Sequence, residues 1–164
     1  MMRIIATFFY TGLLRPTPGT WGSLAAVIAA LPLYALGGAW AVLVAAILAF
    51  LIGIPATKSE VKASGSEDPS HVVIDEVAGQ WIALLPVSFG AAATKLPLTS
   101  LWPGILTAFL LFRLFDIWKP GPIGWVDRRG DAPGVMLDDI IAGIFAAIGA
   151  VALAAVSHAL MTAG

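Results

Sequence analysis

The distribution of charge constrains this chain more than any other feature. Residues 16–57 contain no Asp, Glu, Lys or Arg, a run of 42 positions. Three more charge-free runs follow, at 77–94, 96–112 and 140–164. A helix that crosses the hydrocarbon core of a bilayer needs about 20 mostly apolar residues, within a range of roughly 17–25. The first run is long enough for two such helices, and Leu36-Gly37-Gly38 supplies a turn near its middle. The spacing predicts apolar helices at 22–36, 39–56, 77–93, 101–117 and 139–160. Pro86 and Pro103 fall within two of them, which membrane helices tolerate when neighbours satisfy the freed carbonyl. The expected fold class is therefore all-α: a membrane-embedded bundle of about five apolar helices, forming one domain over residues 1–164.

Composition closes off the alternatives. Charged residues make up 12% of the chain and hydrophobic ones 59%, against about 25% charged in an ordinary soluble domain. So few charges cannot clothe a water-soluble surface. Disorder, a nucleic-acid-binding surface and a typical cytosolic enzyme are excluded. A net charge of −1 creates no global steering field, so any electrostatic function is local. The absence of cysteine excludes a disulfide scaffold, a thiolate metal site and a cysteine-nucleophile phosphatase.

Five alternating spans put the N-terminus, the 57–76 loop and the 118–138 loop on one face. That face receives Arg3, Arg15, Lys58, Lys62, Arg113, Lys119, Arg128 and Arg129, and the opposite face only Lys95. The bias assigns the charged face to the cytoplasm. The opening residues, MMRIIATFFYTGLL, begin like a signal peptide but lack an A-x-A-type cleavage site. They read better as an interfacial or packed helix with Phe8, Phe9 and Tyr10 near the headgroups. Trp21, Trp40, Trp81, Trp102 and Trp118 lie near the ends of the expected spans, as an aromatic belt would place them.

Sixteen of the 19 charges fall in two segments, Lys58–Glu76 and Arg113–Asp139. Each segment ends in an acidic pair expected to open a helix, Asp75-Glu76 before V-A-G and Asp138-Asp139 before I-I-A-G. A helix N-terminus favours one acid by a few tenths of a kcal/mol to about 1. Two adjacent acids at membrane depth exceed that need, because a charge there is costly without a partner. The Ala-Gly after each pair permits close helix approach, which would gather Asp75, Glu76, Asp138 and Asp139. The fourth span ends in R-L-F-D-I-W-K, with Arg113, Asp116 and Lys119 at three-residue steps along one face. Clustered carboxylates need a proton, a basic partner or a metal. An all-oxygen set without Cys or His favours a hard cation, Mg²⁺ before Ca²⁺ or Mn²⁺. Arg113 and Lys119 would then be left to bind phosphate oxygens.

Arg15–Ser23, R-P-T-P-G-T-W-G-S, reads in two ways. Thr20 or Ser23 is an N-cap after a Pro-Gly turn, or the helix N-terminus holds a phosphate on its backbone N–H groups. Asp68, before Pro69, either ligates the metal or caps a turn. Asp127, Arg128, Arg129 and Asp131 are expected in a solvated or headgroup-facing loop. His71 is expected at the surface, and His158 near the far interface.

The blocks P-G-T-W-G-S (Pro18–Ser23), D-P-S-H-V-V-I-D-E-V-A-G (Asp68–Gly79), F-R-L-F-D-I-W-K-P-G-P-I (Phe112–Ile123) and G-V-M-L-D-D-I-I-A-G (Gly134–Gly143) resemble, in order, the phosphatidylglycerophosphatase A family. The resemblance covers most of the chain. It implies a Mg²⁺-dependent phosphatase that converts phosphatidylglycerophosphate into phosphatidylglycerol and inorganic phosphate. It adds Asp68 to the expected metal ligands Asp75, Glu76, Asp116, Asp138 and Asp139. Asp75, Asp116, Asp138 and Asp139 are the expected catalytic acids, and Arg113, Lys119, Thr20 and Ser23 the expected substrate contacts. The motifs of haloacid-dehalogenase phosphatases, histidine-nucleophile lipid phosphatases and CDP-alcohol phosphotransferases are absent. The competing readings are a phosphatase for another membrane lipid or polyprenyl phosphate and a small divalent-cation transporter. The transporter fits less well because its ionisable groups belong near the bilayer midplane.

Overall fold

A computed structural model describes residues 1–66 and 69–162, which form helices and no strands. In chain order these are α1 (Met2–Ala6), α2 (Pro18–Ser64), α3 (Ile74–Thr94), α4 (Trp102–Trp118), α5 (Pro122–Asp127) and α6 (Ala132–Thr162). Single 3₁₀ turns at Thr11–Leu13 and Leu98–Leu101 lead into α2 and α4.

The long α2 is two helices in effect. Gly37 (φ −147°, ψ 18°) and Gly38 (φ 64°, ψ −157°) leave helical geometry. The Gly38 conformation is essentially closed to residues with a Cβ. The chain therefore reverses where the sequence places its turn, and with arms 18–36 and 39–64 counted separately the described residues form about five long apolar helices. α2, α3, α6 and the segment 98–118 are each long and apolar enough to cross a membrane.

The packing is inverted relative to a soluble protein. The core is rich in small side chains: Ala26, Ala30, Ala46, Ala56, Ala78, Ala83, Ala108, Ala142 and Ala146 are almost fully buried. Large apolar side chains such as Ile28, Leu51, Leu110, Ile148 and Leu160 are exposed. Close backbone approach through small residues is how helices associate in lipid, where apolar burial gives no driving force. α3 is the central helix, packed against α2, α4 and α6. Trp81 belongs to this core and not to an aromatic belt. It is buried, its Nε1 donates to the Ala26 carbonyl at 2.8 Å, and Phe8 meets it edge-on at 5.9 Å. Trp21, Trp40, Trp102 and Trp118 are exposed, as expected.

One end of the bundle gathers the starts of α2, α3 and α6 and the ends of α2 and α4. There the Val73 amide donates to the Ala6 carbonyl at 2.8 Å, tying α1 to the start of α3. His71 Nε2 lies 2.8 Å from Glu60 Oε2, so His71 is half-buried and paired. At the other end the Tyr34 hydroxyl donates to the Leu96 carbonyl at 3.2 Å.

The last helix begins earlier than its apolar run. α6 starts at Ala132, and Asp131 Oδ1 accepts the Gly134 amide at 2.9 Å. Asp131 is the capping acid, and the hydrogen bond from Arg129 holds it below the usual carboxylate range. Asp138 and Asp139 therefore lie within the helix and do not open it. Charge had masked a turn of helix that precedes the apolar stretch.

Candidate active site

The site starts from a helix crossing. A Cβ added to Gly143 of α6 would collide with the Gly79 carbonyl of α3, and one on Gly79 with the Asp139 carbonyl. The two backbones touch because neither position has a side chain. Asp75 lies one helical turn before Gly79, and Asp139 one turn before Gly143, so the crossing brings the two acids to the same level. Asp75, Glu76 and Asp139 each offer a carboxylate oxygen, and these three atoms lie within 4.8 Å of one another.

The two acidic pairs share a local geometry. Asp75 Oδ1 accepts the Glu76 amide at 2.9 Å, and Asp138 Oδ1 accepts the Asp139 amide at 3.0 Å. Asp75, Asp138 and Asp139 are buried. Glu76 Oε2 is buried and has no hydrogen-bond partner among the described residues.

The remaining acids are held by cations. Asp116 pairs with Arg113 one turn away on α4. Lys119 lies past the end of α4 in the left-handed region (φ 48°), so it leaves the face that carries Arg113 and Asp116. Its Nζ reaches Asp138 Oδ2 at 2.7 Å and also pairs with Asp127. Burial pulls the Lys119 pKa down, but its hydrogen bonds to Asp127 and Asp138 outweigh this and hold it above the usual lysine range.

These groups line one cleft of about 230 Å³. Its ionisable walls among the described residues are six carboxyl groups (Asp75, Glu76, Asp116, Asp127, Asp138, Asp139) and the Lys119 ammonium. Thr17, Pro18 and Gly19 contribute the start of α2, with Ser70, Val72 and Val135 completing the wall. Thr17, not Thr20 or Ser23, occupies the N-cap position of α2, without a side-chain cap. Among the described residues Thr20 and Ser23 are not part of the cleft lining. Ser23 is buried instead, where its hydroxyl donates to the Gly19 carbonyl at 2.8 Å and accepts from Arg113 NH1 at 3.4 Å. Arg113 thus sits behind the cleft wall, beside Gly19, with its charge turned to Asp116. Asp68 lies outside the described residues.

Asp127 keeps a partly exposed side chain, as its Gly/Pro-rich surroundings suggested, but it ends the short helix α5, which folds back and pairs it with Lys119. The signal was weak: P-G-P at 120–122 sets up a short helix after a turn, with Pro122 in its first turn. Arg129 and Asp131 in the same loop are exposed and paired with each other, as expected.

A family-wide sequence profile described as phosphatidylglycerophosphatase A matches residues 4–154. The chain belongs to the phosphatidylglycerophosphatase A family. A phosphatidylglycerophosphatase A of Haemophilus influenzae is 38% identical over 90% of this chain and 85% of its own length. One from Escherichia coli is 36% identical over 88% of this chain and 78% of its own. A Bacteroides thetaiotaomicron protein named as a candidate phosphatidylinositol-3-phosphatase is 35% identical over 88% of each chain. No solved structure matches the chain. The matched region contains every described phosphatidylglycerophosphatase A-like block and the whole cleft.

Proposed function

We propose that this chain hydrolyses the phosphomonoester of phosphatidylglycerophosphate, releasing phosphatidylglycerol and inorganic phosphate, with Mg²⁺ as its cofactor. The observation that carries this reading is the convergence of Asp75, Glu76 and Asp139 within 4.8 Å in a cleft that also holds Lys119. A phosphate dianion cannot enter a pocket walled by six carboxyl groups and one ammonium unless a cation offsets them.

The residues fit Mg²⁺. The donors are all oxygens, from two helices, and Glu76 Oε2 is buried without a partner among the described residues. Asp75, Glu76 and Asp139 would hold the ion, with Asp116 as a further ligand and Asp68 added on the family pattern. The bound ion supplies Lewis-acid polarisation of the phosphoryl oxygens.

The chain's own groups account for the rest. Lys119, steadied by Asp127 and Asp138, offsets charge on the phosphoryl oxygens. The open start of α2 turns its positive end to the cleft at Pro18-Gly19, where a phosphate oxygen is favoured. Asp138 accepts the proton of the attacking water. Water adds to phosphorus, the bond to the glycerol oxygen breaks, and the proton taken up by Asp138 is returned to that oxygen, so that it leaves as an alcohol while the phosphate keeps the water's other hydrogen. Arg113 acts from behind the wall by fixing Asp116.

The apolar exterior supports a multi-pass protein of the bacterial plasma membrane. The one-sided distribution of Lys and Arg supports a cleft that opens to the cytoplasm. The lipid tails then stay in the bilayer while the headgroup reaches the cleft. The Bacteroides relative's name favours a second reading, in which the phosphomonoester sits on another phospholipid headgroup. Phosphate release by purified protein in detergent, compared for phosphatidylglycerophosphate, phosphatidic acid and phosphatidylinositol 3-phosphate, separates the two. Preference for phosphatidylglycerophosphate is expected. Equal rates on all three would remove the substrate assignment.

A further inference from the structure

Beneath the cleft lies a polar side chain that nothing above uses. Gln80 is completely buried, and neither atom of its amide has a partner among the described residues. A buried amide left unpaired costs about 1–3 kcal/mol, so its retention in the core of an apolar bundle calls for a role. Gln80 follows Glu76 by four residues on α3, which places both on one helix face. Glu76 Oε2 and Nε of Arg113 are likewise buried without a partner among the described residues. Glu76 Oε1 and the Arg113 guanidinium both crowd the space where a Gly19 Cβ would sit. Glu76 Oε2 and the Gln80 amide, without partners among the described residues, thus belong to successive turns on one face of α3, and Glu76 is itself one of the three clustered carboxylates.

We propose that Gln80 is a positioning residue for Glu76. Its amide N–H donates to the Glu76 carboxylate, through one bridging water or after rotation of the terminal amide, and fixes which Glu76 oxygen faces the cation. An amide suits this place because it orients a carboxylate without adding charge to a pocket already rich in acids. The inference rests on the metal-site reading above.

Equilibrium binding of Mn²⁺, followed by the electron paramagnetic resonance signal of the free ion, tests both separately in detergent-purified protein. Gln80→Met keeps the side-chain volume and removes the amide. A Gln80 that only fills space predicts wild-type Mn²⁺ affinity and a raised melting temperature, since two unpaired polar atoms are gone. A positioning Gln80 predicts Mn²⁺ binding weakened by roughly 10-fold or more, with the melting temperature unchanged or raised. Wild-type affinity in Gln80→Met overturns the inference and leaves the metal site standing. No Mn²⁺ binding by the wild type overturns the metal site and this inference together. Should Gln80→Met fail to fold, Gln80→Asn retains the amide but withdraws it by one methylene. It is expected to bind Mn²⁺ more weakly, and wild-type affinity there would equally refute the role.

Discussion

Gly79 and Gly143 meet backbone to backbone, one turn from Asp75 and Asp139 respectively, so this close α3–α6 contact and the acidic cluster are one construction. Placing side chains there would force α3 and α6 apart and separate the carboxylates. Gly143→Val is expected to destabilise the protein by about 1–3 kcal/mol and to lower phosphate release further than the lost folded fraction explains. Thermal unfolding and turnover measured on the same preparation check this.

Among the described residues Lys119 is the one cation in the cleft wall, and it is held by two acids. Lys119→Met removes it and leaves Asp138 buried without its partner, a loss of as much as roughly 3–5 kcal/mol. Lys119→Arg keeps the charge and should retain most of the stability. Because the folded-state pKa of Lys119 is raised, its charged form is fully present below the ordinary lysine value and is lost only at higher pH. Wild type and Lys119→Arg should therefore share one alkaline activity profile up to about pH 9.5. A loss in the wild type alone, below that pH, would show that Lys119 is not held as described.

Asp127 steadies Lys119 from α5 without belonging to the three-carboxylate group. Asp127→Asn is expected to raise KM and lower turnover by roughly 10-fold, with Mn²⁺ affinity unchanged. A loss of metal binding instead would make Asp127 a ligand.

Topology is accessible because the chain has no cysteine. Single cysteines at Ser66 and Lys95, both exposed and at opposite ends of the bundle, report on sidedness. An impermeant maleimide applied to cells with an opened outer envelope should label Lys95→Cys directly and Ser66→Cys only after lysis. The reverse pattern would turn the cleft outward.

Much of the architecture was legible because bilayer thickness writes itself into the length of uncharged runs. Gly37-Gly38 broke the longest run where the structure reverses, and the paired Ala-Gly steps foretold the α3–α6 contact. The sequence was less informative where charge interrupts a helix. Asp138-Asp139 looked like a helix start because apolar length was the only ruler, yet α6 begins at Ala132 and is capped by Asp131. Helical spacing also misled at Lys119, since Arg113 and Asp116 keep their three-residue register and Lys119 escapes it through a left-handed residue. Asp127 has only the weak P-G-P signal beside it, and Gln80 has no local signature, because the burial of a polar residue on an apolar helix is set by the helices packed around it.

Hydrolysis as proposed depends on a metal ion held between α3 and α6. Its most direct test is phosphate release from phosphatidylglycerophosphate by purified protein in detergent, measured in EDTA and again after Mg²⁺ is restored, for the wild type and Asp139→Asn. Chelation should abolish release, and Mg²⁺ should restore it in the wild type while Asp139→Asn stays at least roughly 100-fold slower. Release that continues undiminished in EDTA, or an Asp139→Asn protein that works at the wild-type rate, would contradict it.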